Sequence, residues 1–323
     1  VQISQSISMP LFWERFLLRP CGQESSSSQL VFLPLQVSGP GLAFDKLASE
    51  HPPKAVEMMA ARDGVPLAVR GHDGDGPLVV LVHGSGGHGA SYDWLAQELA
   101  QRGAKVVVPD LRGHGPLADP RGDVAYIGQL EDDLADLLDH LGLQSAAFVG
   151  HSSGGGLVLR LAGGAYGDRI DSAALIAPFL KYNAPTARAD TGGWTQVLTR
   201  RMIGLSMLNL AKIRLLNHLT VIQFSLPPEV RATPQGQVAT DAYSYRMNTS
   251  FSPRMDYAAD IAALPRFLLV AGAQDEAFLA DQYEPTMAAI NPNGTYRLLP
   301  GLGHLDILED PEAAALIAGF LRD

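Results

Sequence analysis

AAFVGHSSGGGLVLRLA, residues 146–162, is the stretch on which the reading of this chain turns. An apolar run, 146–149, enters Gly150-His151-Ser152-Ser153-Gly154, and a helical apolar pattern, 153–163, leaves it. A Gly-x-Ser-x-Gly between a buried strand and a helix forms a sharp elbow that lifts the serine hydroxyl out at the carboxyl edge of a sheet. Glycines flank it because a Cβ at either position would strike neighbouring backbone in so tight a turn. Ser152 is therefore the candidate nucleophile. Ser153 would need a shifted frame, in which no glycine stands two positions ahead of it.

A serine hydroxyl is a weak nucleophile near neutral pH and needs a base within hydrogen-bond reach. Of nine histidines, His304 is best placed, in the loop Pro300-Gly301-Leu302-Gly303-His304 beyond the last strand-like run. A carboxylate should then hold the imidazole tautomer and stabilise its cation. Asp275, in Gly272-Ala273-Gln274-Asp275-Glu276 after another buried run, completes the chain order Ser, Asp, His. Glu276 is its nearest competitor and Asp281 a distant one. The developing oxyanion needs amide donors. Ser153, at the start of the helix after the elbow, should supply one. Ser85, in His83-Gly84-Ser85-Gly86-Gly87, should supply the other, with Gly84 and Gly86 as alternatives and His83 as the anchor of that loop.

Working outward, apolar or β-branched runs at 66–70, 78–83, 105–110, 146–150, 172–177, 266–272 and 295–299 alternate with helical patterns at 92–102, 128–141, 153–163, 280–290 and 311–321. In 128–141, Leu130, Leu134, Leu137, Leu138 and Leu141 recur at helical spacing, with Glu131, Asp132, Asp133 and Asp136 on the other side. Strands as apolar as 78–82 and 267–270 are those of a parallel sheet covered on both faces, an α/β architecture. Residues 178–265 break this rhythm and read as a helical insertion over one end of the sheet. Over 179–262 there are nine Lys/Arg and five Asp/Glu, a net of +4; the whole chain is −10, so the remainder carries −14. The expected organisation is an N-terminal extension over 1–50, flexible or loosely docked, a core of 51–178 and 264–323, and a cap over 179–263.

Composition narrows the function. A net charge of −10 over 323 residues is a poor match for phosphate backbones, so no nucleic-acid partner is expected. Cys21 is the only cysteine, which excludes an internal disulfide framework and a multi-cysteine zinc site. The histidines and carboxylates follow no metal-ligand spacing, and Gly84-Ser85-Gly86-Gly87 lacks the Lys-Ser or Lys-Thr of a phosphate loop, so no metal and no cofactor is expected. No run reaches the roughly 20 uncharged apolar residues of a membrane span. The first residues carry no basic run ahead of their apolar pieces and match a secretory signal poorly, which points to a cytoplasmic location.

His83-Gly84, Asp110-Leu111-Arg112-Gly113-His114-Gly115, Gly150-His151-Ser152-Ser153-Gly154, Asp275 and His304 together resemble the α/β-hydrolase superfamily, and within it serine hydrolases of the lysophospholipase and monoacylglycerol lipase type. The resemblance runs from residue 56 to residue 323. It implies a mostly parallel eight-stranded sheet flanked by helices, a helical cap after the sixth strand, and hydrolysis of carboxylic esters through an acyl-enzyme on Ser152. Arg112 and His114 then belong to a structural turn. Where this group often has methionine after the nucleophile, this chain has Ser153, which keeps the amide donor and leaves acyl preference open. Relatives with a nucleophilic aspartate are disfavoured by the serine at 152. A small-molecule ester or lipid is the expected partner. Trp194, Leu205, Leu210, Leu215 and their neighbours suit an apolar acyl group, and Arg200, Arg201, Lys212 and Arg214 leave peripheral membrane contact open. The alternatives are an amidase or aminopeptidase of the same fold, and a non-catalytic ligand-binding protein that keeps the pocket.

Overall fold

A computed structural model describes Leu42, residues 54–189 and residues 193–323. All of them fall within one compact unit, Gln36–Asp323. Apart from Leu42, which is buried, the extension expected over 1–50 lies outside the described residues.

The chain opens with β1 (Glu57–Ala60) and β2 (Pro66–His72), then β3 (Leu78–Val82), α1 (Asp93–Gln101), β4 (Lys105–Pro109), α2 (Gln129–His140), β5 (Ala146–His151), α3 (Ser153–Ala162) and β6 (Ile170–Ile176). The insertion follows as β7 (Thr195–Val197), α4 (Thr199–Leu210), β8 (Thr220–Phe224), α5 (Pro228–Arg231), α6 (Pro234–Gln237), β9 (Ala242–Ser244), α7 (Tyr245–Ser250) and α8 (Tyr257–Ala262). The core resumes with β10 (Phe267–Gly272), α9 (Tyr283–Met287), β11 (Gly294–Leu299) and α10 (Pro311–Arg322). The eight-stranded sheet has the order β1-β2-β4-β3-β5-β6-β10-β11. β1 and β2 are antiparallel to their neighbours, and the other six strands are parallel.

This is the expected mostly parallel α/β sheet with one strand more than the hydrophobic pattern revealed. β1 reads Glu-Met-Met-Ala and buries only Met59, so an edge strand with one inward side chain leaves no alternation to detect. In β3, by contrast, Val80 and Val82 enter the layer containing Leu134, Phe148 and Leu157, while Val79 and Leu81 enter the opposite layer with Leu95, Leu99 and Ile317. Helices α2 and α3 cover one face, α1 and α10 the other. β3 lies between β4 and β5, which brings the loops after β3 and β5 side by side at the carboxyl edge, where open α/β sheets place their sites.

Two expectations change on folding. The insertion is not purely helical: β7, β8 and β9 form a three-stranded antiparallel sheet. Its central strand, Thr220-Val-Ile-Gln-Phe224, is β-branched and aromatic, and five residues are too few for the period to separate strand from helix. On α2, Leu130, Leu134, Leu137 and Leu138 are buried as expected, but so are Glu131 and Asp133. Glu131 pairs with Arg160 and Arg254, and Asp133 with Arg112, so guanidinium groups bring these carboxylates inside. Among the described residues no helix is long and apolar enough to cross a membrane.

Candidate active site

At the end of β5 the backbone turns through Ser152, which sits at φ 53° and ψ −122° before α3 begins. A left-handed φ at a non-glycine residue costs roughly 1–2 kcal/mol. Three hydrogen bonds hold it: Ser152 N donates to Ile176 O at 2.9 Å, while Ser152 O accepts from Gly156 N at 3.1 Å and Phe179 N at 2.9 Å. The flanking glycines are sterically required. A Cβ on Gly150 would lie 2.7 Å from Gly154 O, and one on Gly154 would run into the carbonyl oxygens of Val82 and His83.

His304 and Asp275 meet at the same edge, beyond β11 and β10. Asp275 is fully buried; Oδ2 lies 2.8 Å from His304 Nδ1, and Oδ1 accepts from Ala277 N at 2.8 Å and Phe278 N at 2.7 Å. The Glu276 carboxylate is used differently, accepting from the His304 backbone amide at 2.8 Å. Asp281 is exposed. Ser152 Oγ makes no hydrogen bond to His304 among the described residues. Contacts of this kind are often long in free enzymes and tighten around substrate.

The loop after β3 comes up against the elbow, with Ser85 Oγ 2.7 Å from Ser153 Oγ. His83 is buried: Nε2 accepts from Leu111 N at 3.1 Å, so Nδ1 carries the proton toward Gly84 O at 2.9 Å. Burial pushes its pKa down to about 3, which makes it a neutral anchor. Its two partners stitch the loop after β3 to the start of the 110–115 turn.

Residues 76–312 match the family profile described as "Serine aminopeptidase, S33" (Hydrolase_4). The chain belongs to this family of α/β hydrolases. Esterase YbfF of Escherichia coli is 28% identical to this hydrolase over 254 residues, covering 76% of the chain and 93% of the relative. The sn-1-specific diacylglycerol lipase ABHD11 of Mus musculus is 37% identical over 101 residues, covering 30% of the chain and 32% of the relative. Several other curated relatives match over only 88 or 89 residues, so the chain spans 26% to 31% of their length. The monoacylglycerol lipase of Paleococcus ferrophilus superposes with a TM-score of 0.62 at 21% identity, over 80% of this chain and 98% of that one, a likeness of fold. The chain is thus similar in sequence to an esterase and a lipase, and similar in fold to a monoacylglycerol lipase.

Two tyrosine–histidine pairs, which the sequence pattern did not reveal, hold the Ser85 loop from either side. Gly84 N donates to Tyr92 Oη at 2.8 Å, and Tyr92 Oη lies 2.7 Å from His151 Nδ1. Because His151 Nε2 faces the accepting carbonyl of His304 at 3.1 Å, Nε2 carries the proton and Tyr92 donates to Nδ1. On the other side Gly86 N donates to Tyr243 Oη at 2.7 Å, and Tyr243 Oη lies 2.7 Å from His114 Nε2. His114 Nδ1 faces Arg112 O at 3.1 Å, so here too the phenol donates to the ring. Burial raises both phenols above their ordinary pKa and lowers both imidazoles, which keeps all four groups neutral at physiological pH. The amides of Gly84 and Gly86 are therefore occupied. Those of Ser85 and Ser153 have no acceptor in the hydrogen bonds of the described residues.

Beside this loop lies a small, partly open pocket with a cavity volume of about 30 Å³. Its walls are Ser85, Gly86 and Gly87 from the core, His88 and Ser91 behind them, and Trp194, Phe224, Leu226 and Val230 from the insertion. Trp194 and Phe224 stack with ring centroids 5.7 Å apart. Among its lining residues there is no carboxylate.

Proposed function

We propose that this hydrolase cleaves carboxylic esters of uncharged, apolar acids through an acyl-enzyme on Ser152. The observation that carries the reading is the fully buried Asp275–His304 contact, 2.8 Å long, at the sheet edge that also bears the strained serine. With Nδ1 engaged by Asp275, His304 has Nε2 to take the Ser152 proton as Oγ attacks the ester carbonyl. The oxyanion that forms is received by the amides of Ser85 and Ser153, the two that local acceptors leave available. The tetrahedral intermediate collapses, His304 returns the proton to the departing alcohol, and the acyl group stays on Oγ. Water, deprotonated by the same imidazole, then releases the acid and restores the serine.

The mostly apolar lining beside the oxyanion loop favours an apolar acyl group. Its small volume of about 30 Å³ means that a chain as long as that of a monoacylglycerol- or lysophospholipid-like ester would have to extend into the open mouth of the pocket. The esterase and lipase relatives support the same class. An aminoacyl substrate would need an anion for its ammonium, and the pocket beside Ser85 has no carboxylate in its lining.

Labelling with a fluorophosphonate tests the nucleophile directly: the full chain should take up one label and Ser152→Ala should take up none. Label persisting in that variant refutes the assignment of Ser152, and a native chain that takes up no label supports the non-catalytic reading. Turnover of aryl esters from acetate to palmitate, set against an aminoacyl anilide, tests the bond. Faster cleavage of the anilide would favour the amidase reading.

A further inference from the structure

The outer face of the insertion carries a stripe of exposed apolar side chains. Helix α4 places Ile203, Met207 and Leu210 at spacings of four and three, one stripe of the helix, and all three are exposed. Its opposite side is already occupied, with Leu205 buried beside Val221 and Tyr245. From the last residue of the helix onward every residue from 210 to 216 is exposed, including Leu210 at 86% and Leu215 at 82%. Apolar side chains concentrated this way on one element mark an interaction site, since scattered ones are ordinary.

This loop is a constructed feature rather than a frayed end. Ile213 N donates to Leu208 O at 2.8 Å and Lys212 N to Asn209 O at 2.9 Å, the paired bonds of a helix C-terminal cap. Lys212 takes the left-handed position at φ 62°, where glycine is usual. Asn209 and Asn217 exchange side-chain hydrogen bonds at 2.6 and 2.9 Å and close the base of the loop.

Charge selects the occupant. Residues 191–228 contain no Asp or Glu, and Arg200, Lys212 and Arg214, all exposed, flank the apolar stripe, whereas Arg201 turns inward to donate to Thr220 O at 2.8 Å. A second copy docked on this face would set like charges against each other. An anionic bilayer would attract them while burying the leucines, and the acidic remainder of the chain would be held away from it. We propose that α4 and residues 210–216 dock the protein on anionic lipid membranes, with the apolar side chains in the interface and the cations at the phosphates. This proposal does not depend on the catalytic assignment.

The test is co-sedimentation of the full chain with vesicles of phosphatidylcholine alone and of phosphatidylcholine containing about one quarter phosphatidylglycerol. Binding to the anionic vesicles should exceed binding to the neutral ones and fall with added salt. Leu210→Ser/Leu215→Ser should weaken it by about tenfold or more, and Lys212→Glu/Arg214→Glu should weaken it and flatten the salt dependence. Both double variants should keep the native melting temperature and the native rate on a soluble acetate ester. Absence of binding to anionic vesicles at low salt overturns the proposal, as does undiminished binding by the leucine variant. A lipid-free dimer, seen by sedimentation equilibrium and abolished by Leu210→Ser/Leu215→Ser, would assign the face to a second copy instead.

Discussion

The rim of the sheet and the outer face of the insertion invert the usual rule of apolar inside and polar outside, in opposite senses. At the rim, polar groups are buried: Asp275, His83, His114, His151 and His304 are all nearly sealed from solvent, yet each meets a hydrogen-bond partner. On the outer face, apolar groups are exposed, and the hydrogen bonds nearby serve only to hold them in place. A buried polar group costs free energy unless it is partnered, so a cluster at one sheet edge in which each of these groups has a partner identifies the place where rigidity is needed. An exposed leucine contributes nothing to folding, so a group of them on a well-ordered loop points to a partner outside the chain. The same insertion takes part in both, since Tyr243 reaches inward to Gly86 while Leu210 and Leu215 point away from any cover.

The largest expected effect separates two neighbouring carboxylates at the rim. Asp275→Asn should lower kcat by about 10⁴-fold because the amide no longer favours the required imidazole tautomer. Glu276→Gln, which changes only an anchor of the His304 backbone, should cost far less. Equal losses would mean that the acid has been misassigned. Next, truncation distinguishes covered from uncovered leucines: Leu134→Ala, at 1% exposure, should lose about 2–5 kcal/mol in denaturant unfolding. The matching Leu210→Ala should stay within about 0.5 kcal/mol of native. A large loss at 210 would show that the outer face is packed after all.

Smaller effects probe the two phenols. Tyr92→Phe or Tyr243→Phe strands an amide and a ring nitrogen in a buried site and should cost about 1–3 kcal/mol, with kcat falling as the Ser85 loop loosens. No change in either quantity would show that the loop is held by its backbone alone. The most gradual effect is in pH. Burial keeps His83, His114 and His151 below the ordinary imidazole pKa, so the unfolded chain binds protons that the native state refuses. Their contribution is fully present above pH ~6.5 and is lost as pH falls, for His83 down to about 3. The midpoint of urea unfolding should therefore drop between about pH 7 and pH 5, reflecting a loss of unfolding free energy of at most ~1.4 kcal/mol per pH unit for each histidine. A pH-independent midpoint would mean that these rings titrate alike in both states.

What could be read from the residues alone is what short-range sterics dictate. The elbow at 150–154 is largely a local object, because Gly150 is demanded by the backbone of the turn itself, although Gly154 is demanded by the adjacent carbonyls of Val82 and His83, and so the candidate Ser152 was legible. The central strands were legible because both faces are buried, and β1 was not because only one side chain turns inward. His304 and Asp275 could be placed on strand-end loops by their order in the chain, and in the structure Asp275 faces the imidazole while Glu276 takes the His304 backbone amide, a difference of direction that no sequence pattern carries. The remainder depended on the assembled fold. Tyr243 and His114 lie 129 positions apart, and Tyr92 and His151 lie 59 apart, so no local pattern announces their contact. The same holds for the leucines of the insertion, whose composition is equally compatible with packing on the core and with reaching outward. Periodicity counts apolar side chains, but only the tertiary structure decides which of them another part of the chain covers.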